Sequence, residues 1–389
     1  MNVDCILVHY HEIGLKGDNR SWFENLLIKN IKIQLKSLPY KKVSLVAARI
    51  LIKGIDSSKY DQYHQHIKNV MGIKHAYLMS IVELSEDAIN CVVKQQIENI
   101  DFNTFRISTK RQDKNFHLTS QNINELVGQY VVQNFSKTVN LDNPDLNMII
   151  EIVNGKAYIG YKKFTGYGGL PIGSGEKALS LISSGIDSPV ASFLMAKRGV
   201  EIDYIHFNSV PSTSMQSINN VKKILLQLSK YQITCNLYNI PLLEVQQLIM
   251  ENSPDKYWVI LFRKAMYKIS NLLANSININ ALITGENVGQ VASQTISNIR
   301  AASENINIPV FRPLSGMNKE EIIKIAIDIG TYNISIEPYE DCCSFFVPMH
   351  PSTSANIDII KSIESKIKLD DLYHKLIDGA MKESISFYE

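Results

Sequence analysis

The sequence predicts an α+β N-terminal half followed by an α/β domain with a doubly wound parallel sheet. Three observations lead there. The apolar pattern of the first 83 residues switches between strand and helix periods in the order β-α-β-β-α-β. From residue 176 onward strands and helices alternate. Between these halves, Asn154-Gly155 separates two apolar runs and marks a tight hairpin.

In the first segment (1–83) a strand is expected at 4–10. A helix over 19–38 carries Phe23, Leu27, Ile31, Leu35 and Leu38 along one side. A strand with a bend near Ala47-Ala48 follows at 43–53, then a helix at 60–71 and a strand at 75–82, an order that suits a ferredoxin-like unit. The second segment (84–165) offers a helix at 85–100, a strand at 105–111, a helix at 120–135 and the hairpin 146–164. Residues 166–175 hold five glycines and precede a strand instead of linking strand to helix, which reads as a flexible connector. In the last segment (176–389) strands are expected at 178–183, 202–208, 235–241, 280–285 and 309–312. Helices are expected at 189–199, 215–230, 243–252, 255–276 and 318–329. Ligands of such sheets bind at the carboxyl ends of the strands. That rule puts Ser183–Ser188, His206–Asn208 and Gly285–Gln294 on one rim.

A chain of 389 residues, 45% of them hydrophobic, holds two or three domains with ordinary cores. A net charge of +2 creates no global attraction for nucleic acid, so such binding has to come from local patches. No run of about 20 apolar residues suggests a membrane span, and Met1-Asn2-Val3-Asp4-Cys5 does not open a secretion leader. A cytoplasmic enzyme is the expectation. Five cysteines, with no Cys-x-x-Cys, argue against a disulfide framework, zinc or an iron–sulfur cluster. Cys5, Cys91 and Cys235 lie in apolar surroundings and are expected to be core thiols. The vicinal pair Cys342-Cys343 stands apart, as either a structural pair or a reactive thiolate.

The most informative stretch is Leu181-Ile182-Ser183-Ser184-Gly185-Ile186-Asp187-Ser188-Pro189-Val190. An apolar strand stops at small residues, and Asp187, Ser188 and Pro189 suit a helix start. Strand, tight turn and helix N-terminus together favour phosphate, although no Walker pattern occurs. Two other positions stay open on spacing alone. Phe207 is either a stacking surface for a purine or a core aromatic. Arg263, in a strongly apolar helix, either reaches solvent or points at a phosphate.

Residues 183–188 resemble the Ser-Gly-Gly-Ile-Asp-Ser loop of the PP-loop ATP pyrophosphatases, with Ser184 where glycine is usual; a positive φ there would strain it. Further stretches narrow the resemblance to the tRNA sulfurtransferases that make 4-thiouridine. Gly285–Thr295 resembles their Gly-Glu-Ser-Leu-Gly-Gln-Val-Ala-Ser-Gln-Thr. Arg312–Ile322, Pro338–Cys343 and Val347-Pro348-Met349-His350-Pro351 match their later motifs. Phe105–Lys114 and Asn143–Leu146 look like their THUMP domain, and Glu12–Gly17 looks like their ferredoxin-like domain, although His9 and His11 stand where Arg and Gly are usual. Those two histidines are expected to be structural.

The resemblance implies ATP contacts at Leu181, Ile182, Ser183, Ser184, Gly185, Asp187, Ser188, His206, Phe207, Arg263, Gly285 and Gln294, with magnesium near Asp187. It implies a sulfur-carrying Cys343, or Cys342 if the register shifts by one. A tRNA-binding patch of Lys16, Arg20, Arg106, Lys110, Arg111 and Lys114, extended by Lys162 and Lys163, also follows from it. The implied chemistry is adenylation of uridine O4 at tRNA position eight, then replacement by sulfur from a cysteine desulfurase persulfide. Implied further partners are a thiamine sulfur-carrier protein and a second copy of the chain. The rhodanese-like domain of some relatives is not expected here. Two other readings are an amide-forming PP-loop ligase that uses ammonia and a tRNA-binding protein with a decayed nucleotide site.

Overall fold

The computed structural model describes residues 3–113, 116–338, 346 and 351–388. The chain divides between Pro171 and Ile172 into two compact units, each with its own sheet.

The first unit contains β1 (Val3–Tyr10), α1 (Arg20–Gln34), β2 (Lys42–Val46), β3 (Arg49–Lys53), α2 (Tyr60–Lys68), β4 (Ile73–Glu83), α3 (Glu86–Ile97), β5 (Thr104–Arg111), α4 (Ser120–Phe135), β6 (Thr138–Val139), β7 (Leu146–Val153), β8 (Lys156–Gly160) and β9 (Lys163–Thr165). The two expected segments share one nine-stranded sheet in the order β2-β3-β1-β4-β8-β7-β5-β6, with β9 on β4. Long β4 is the join: it pairs with β1 along its length and with β8 at Ser80–Glu83. Helices cover one face. Ile6, Val8, Ile50 and Ile52 pack in one core cluster with Leu27 and Ile31 of α1 and Ile67 of α2. Ile107, Ile150 and Ile159 pack with Val93 of α3 and Val127 of α4.

On the other face Cys5, Leu7, Tyr77, Met79, Ile149 and Tyr158 form one cluster. This face is buried because the sheet curls. Arg49 on β3 donates from Nε to Glu151 on β7, and from Nη1 to Gln112 at 2.6 Å. A flat sheet would hold β3 and β7 about 19 Å apart, at four strand spacings. His9 fills part of this polar seam, with Nε2 3.0 Å from Glu151 Oε1 and its ring stacked on His75 at 4.7 Å.

Two turns differ from simple expectation. The bend at Ala47-Ala48 is a complete two-residue hairpin, since Val46 pairs with Arg49 and both alanines have positive φ (45° and 63°). The glycine-rich connector is anchored at each end within its own unit. Gly166 and Gly168 donate their N–H groups to Lys74 and Ile73, while Gly173 and Gly175 donate theirs to Gly199 in the second unit. A Cβ on Gly166 would lie 2.3 Å from the Ile73 carbonyl oxygen, so the glycine serves close backbone packing.

The second unit contains β10 (Lys177–Leu181), α5 (Asp187–Ala196), β11 (Glu201–Asn208), α6 (Gln216–Gln232), β12 (Thr234–Pro241), α7 (Leu243–Asn252), α8 (Trp258–Ser276), β13 (Leu282–Ile283), α9 (Ile296–Ala302), β14 (Val310–Phe311), α10 (Lys319–Asp328), α11 (Tyr332–Ser335), α12 (Ile357–Ile367), α13 (Asp370–Asp378) and β15 (Met381–Ser386). The sheet order is β14-β13-β10-β11-β12-β15. Five strands run parallel, as expected, and β15 adds an antiparallel edge to β12. The order steps from β10 outward in both directions, which sets the carboxyl ends of β10 and β13 side by side. Among the described residues no helix is long and apolar enough to cross a membrane. Cys5 and Cys235 are buried, and burial pushes the Cys235 thiol up to about 12. Cys91 is exposed on α3, contrary to expectation, because the buried stripe of that helix runs through Ile89, Val92 and Val93.

Candidate active site

β10 leads into the turn 182–186, and α5 begins at Asp187. The turn is held by its own serines. Ser188 Oγ accepts from Ser183 N–H at 2.9 Å, and Gly185 N–H donates to Ser183 Oγ at 3.3 Å. Ser188 is thereby used across the turn, and no side chain caps the start of α5. The first-turn N–H groups, which a helix leaves without internal partners, keep an anion-favouring positive end. Ser184 is buried and is not among the residues with positive φ, so the expected strain is absent. Gly285, after β13, packs directly on this helix start: a Cβ there would lie 2.6 Å from Ser188 N.

Beside the turn lies a cavity of about 530 Å³. Its wall includes Leu181, Ser183, Asp187, Ser188, Arg263 and Gln294. The cavity is built around a carboxylate that sequence reading missed. Glu286 is 7% exposed, and its Oε1 accepts from the Arg263 guanidinium. Its Oε2 accepts from Arg312 Nε at 2.6 Å and from the Tyr267 hydroxyl at 2.7 Å. Two guanidiniums on one buried carboxylate leave the cluster with net positive charge, and Arg263, which lines the cavity and also donates to the Ser293 carbonyl, is fixed in direction. Gln294 Oε1 accepts from Asn287 N–H at 3.2 Å and so holds its loop closed.

Asp187 carries the second carboxylate on this wall. Its Oδ1 pairs with Lys319 Nζ at 2.7 Å, and its Oδ2 accepts from Gln290 Nε2 at 3.0 Å. Lys319 is 41% exposed, a cation at the cavity margin. In sequence it is legible only as part of the Arg312–Ile322 motif. Glu286 sits beside Gly285 in its motif, but nothing there discloses its partners.

Two expected contacts lie elsewhere. Phe207 is 6% exposed and packs in the core with Leu179, Ile205 and Ile240, so its ring is not on the cavity wall. His206 is buried beneath the turn. Its Nδ1 lies 2.9 Å from the Ile182 carbonyl, which only accepts, so Nε2 accepts from the Ser217 hydroxyl at 3.1 Å. Burial depresses this imidazole to about 4 and keeps it neutral. The ring therefore supports the Ile182 backbone.

Cys342 and Cys343 lie outside the described residues, but the chain on both sides of them is tied to the cavity. Ser335 Oγ donates to the Gly185 carbonyl at 3.2 Å. Phe346 packs edge-on against Phe262, next to Arg263 on α8. Pro351 lines the cavity, and Asn298 Nδ2 donates to the carbonyls of Ala292 and Ser352 at 2.9 and 2.8 Å.

A family model described as thiamine biosynthesis protein (ThiI) matches residues 173–369. Models of the ThiI ferredoxin-like domain and the THUMP domain match residues 5–76 and 82–162. A probable tRNA sulfurtransferase of Thermoanaerobacter pseudethanolicus is 39% identical over 98% of this chain and 99% of its own. One from Alkaliphilus oremlandii is 37% identical with the same shares of each chain. The chain belongs to the ThiI tRNA sulfurtransferase family. A crystal structure of a 4-thiouridine synthetase–RNA complex with bound ATP superposes with a TM-score of 0.88 at 34% identity, covering 99% of this chain and all of that one.

The residues of the expected tRNA-binding patch fall in the first unit. Lys110 is exposed on β5. Arg106 and Arg111 of the same strand are engaged, Arg106 with the Leu141 carbonyl at 2.8 Å and Arg111 with the Phe116 and Leu118 carbonyls at 2.7 Å. Arg20 donates to Glu24 and to the Tyr10 hydroxyl, and Lys16 lies over the Phe23 ring. Lys114 is outside the described residues.

Proposed function

We propose that this ThiI-family chain is an ATP-dependent tRNA sulfurtransferase that converts a uridine to 4-thiouridine. The observation that supports it most is the uncapped α5 N-terminus opening on a cavity lined by Asp187, which pairs with Lys319, and by Arg263 and Glu286, the latter also paired with Arg312. In this reading the turn amides and Arg263 bind ATP phosphates, and the backbone at Leu181-Ile182 borders adenine. Lys319 neutralises charge that develops as O4 of the uridine attacks the α-phosphate and pyrophosphate leaves. Adenylation turns a poor leaving group into AMP. The outer sulfur of a Cys343 persulfide then attacks C4 and expels AMP, and a second thiol breaks the resulting S–S bond, being oxidised to a disulfide with Cys343 as 4-thiouridine is released.

Magnesium carried by the nucleotide fits Asp187, since this ion needs one or two carboxylates beside phosphate oxygens. The uridine is that at tRNA position eight, and the sulfur enters as a persulfide from a cysteine desulfurase. The unstrained Ser184 supports an active site over a decayed one.

The test is pyrophosphate release from ATP with and without unmodified tRNA, followed by mass spectrometry of the nucleosides after adding persulfide donor. Release should depend on tRNA, and 4-thiouridine should accumulate. Tenfold or more loss of thiolation with normal pyrophosphate release is expected for Cys343→Ser. Release that ignores tRNA would overturn the reading, and the same loss in Cys342→Ser alone would move the carrier by one residue.

A further inference from the structure

The solvent face of α1 carries a feature outside the patch already named. Lys29 and Lys32 are exposed, and Lys36 is exposed in the turn that ends the helix, where its N–H still donates to the Ile33 carbonyl at 3.2 Å. None of the three lysines has an ion-pair partner among the described residues. At 100° per residue, Trp22, Asn25, Lys29, Lys32 and Ile33 fall within an arc of about 100°. The helix has one carboxylate, Glu24, and it lies on the other side, 5% exposed and bonded to Arg20 and Tyr10. The stripe therefore carries three cations, all in its C-terminal half, and no anion. Trp22, at its N-terminal end, is 53% exposed, with its ring edge-on to Phe23, over which Lys16 sits. Residues 1–83 contain twelve Lys and Arg against seven Asp and Glu, whereas the whole chain is nearly neutral.

Unpaired ammonium groups in a row repel one another and gain most from a polyanion that releases its counterions on binding. A large exposed indole beside them gains from a flat base or ribose. We infer that the Trp22–Lys29–Lys32–Lys36 face of α1 binds the RNA phosphodiester backbone, with Trp22 against an adjacent nucleoside. The inference rests on the tRNA reading above and extends its footprint to a helix that no sequence motif marks.

Affinity of the full-length protein for unmodified tRNA, measured between 50 and 200 mM salt, tests it. Lys29→Gln/Lys32→Gln/Lys36→Gln keeps helix-forming side chains and should leave the thermal midpoint unchanged. Binding at 100 mM salt should weaken about tenfold or more, and the slope of log K against log salt should become shallower by about 2 to 3, near one per phosphate contact. The chain has two tryptophans, so Trp258→Phe leaves Trp22 as the sole indole, and tRNA should quench its emission. If wild type binds tRNA but the triple variant binds equally with the same slope, the face is not an RNA surface and the tRNA reading stands. If wild type does not bind tRNA, both fall.

Discussion

Glu286 shows how one side chain decides the character of the site. It is buried, and its two oxygens bind Arg263, Arg312 and Tyr267. Glu286→Gln removes the charge but keeps the shape. Two guanidiniums then face a neutral amide, and breaking a buried pair on one side costs about 3 kcal/mol. A lower thermal midpoint and weaker ATP binding are expected, measured by calorimetry on the variant and wild type. Unchanged ATP affinity would mean that Arg263 is aimed by its bond to Ser293 alone. The same residue shows what sequence leaves hidden. Ser183–Ser188 is legible because small residues at a strand end and helix-start residues are local signals. The roles of Glu286 and Lys319 are not, because Arg263, Arg312 and Asp187 are 23, 26 and 132 residues from their respective partners. Phe207 is ambiguous in sequence for a related reason: a core aromatic and a stacking platform have the same composition, and only the packing of α8 against the sheet tells them apart.

At the scale of elements, the hairpins set an instructive contrast. Asn154-Gly155 and Ala47-Ala48 both form two-residue turns with positive φ at both positions. The Asn-Gly turn is readable because both residues tolerate that backbone; the Ala-Ala turn reads only as a bend, because alanine does not favour it. Strain is expected at the alanines, and Ala47→Asn/Ala48→Gly should stabilise the first unit by about 1 kcal/mol. Urea unfolding of the variant checks this, and a loss of stability would show that the alanine methyl groups contribute packing that outweighs the strain. Elements without strong periodicity escape for similar reasons. β15 buries only Ile385, so its pattern does not announce a strand. It forms because β12 presents an open edge with which Met381–Ser386 pairs. The parallel strands, continuous in apolar residues and followed by amphipathic helices, are readable almost to their ends.

At the scale of the molecule, the cavity and the basic faces fall in different compact units. The chemistry of one and the grip of the other are therefore open to separate injury. Asp187 is the residue on which to test this. Its carboxylate is held by Lys319 and Gln290, both residues of the second unit. Asp187→Ala removes the anion at the start of α5 and frees Lys319 to swing away, while the cores of both units are untouched. Pyrophosphate release should fall by at least a hundredfold, because a positioned charge on a transferring phosphoryl group contributes on that order. The dissociation constant for tRNA should stay within about twofold. Measuring both on the same preparation makes the outcome decisive. Joint loss would mean that tRNA is held through the nucleotide loop as well, and unchanged release would remove Asp187 from the reaction and leave phosphate handling to the turn amides and Arg263.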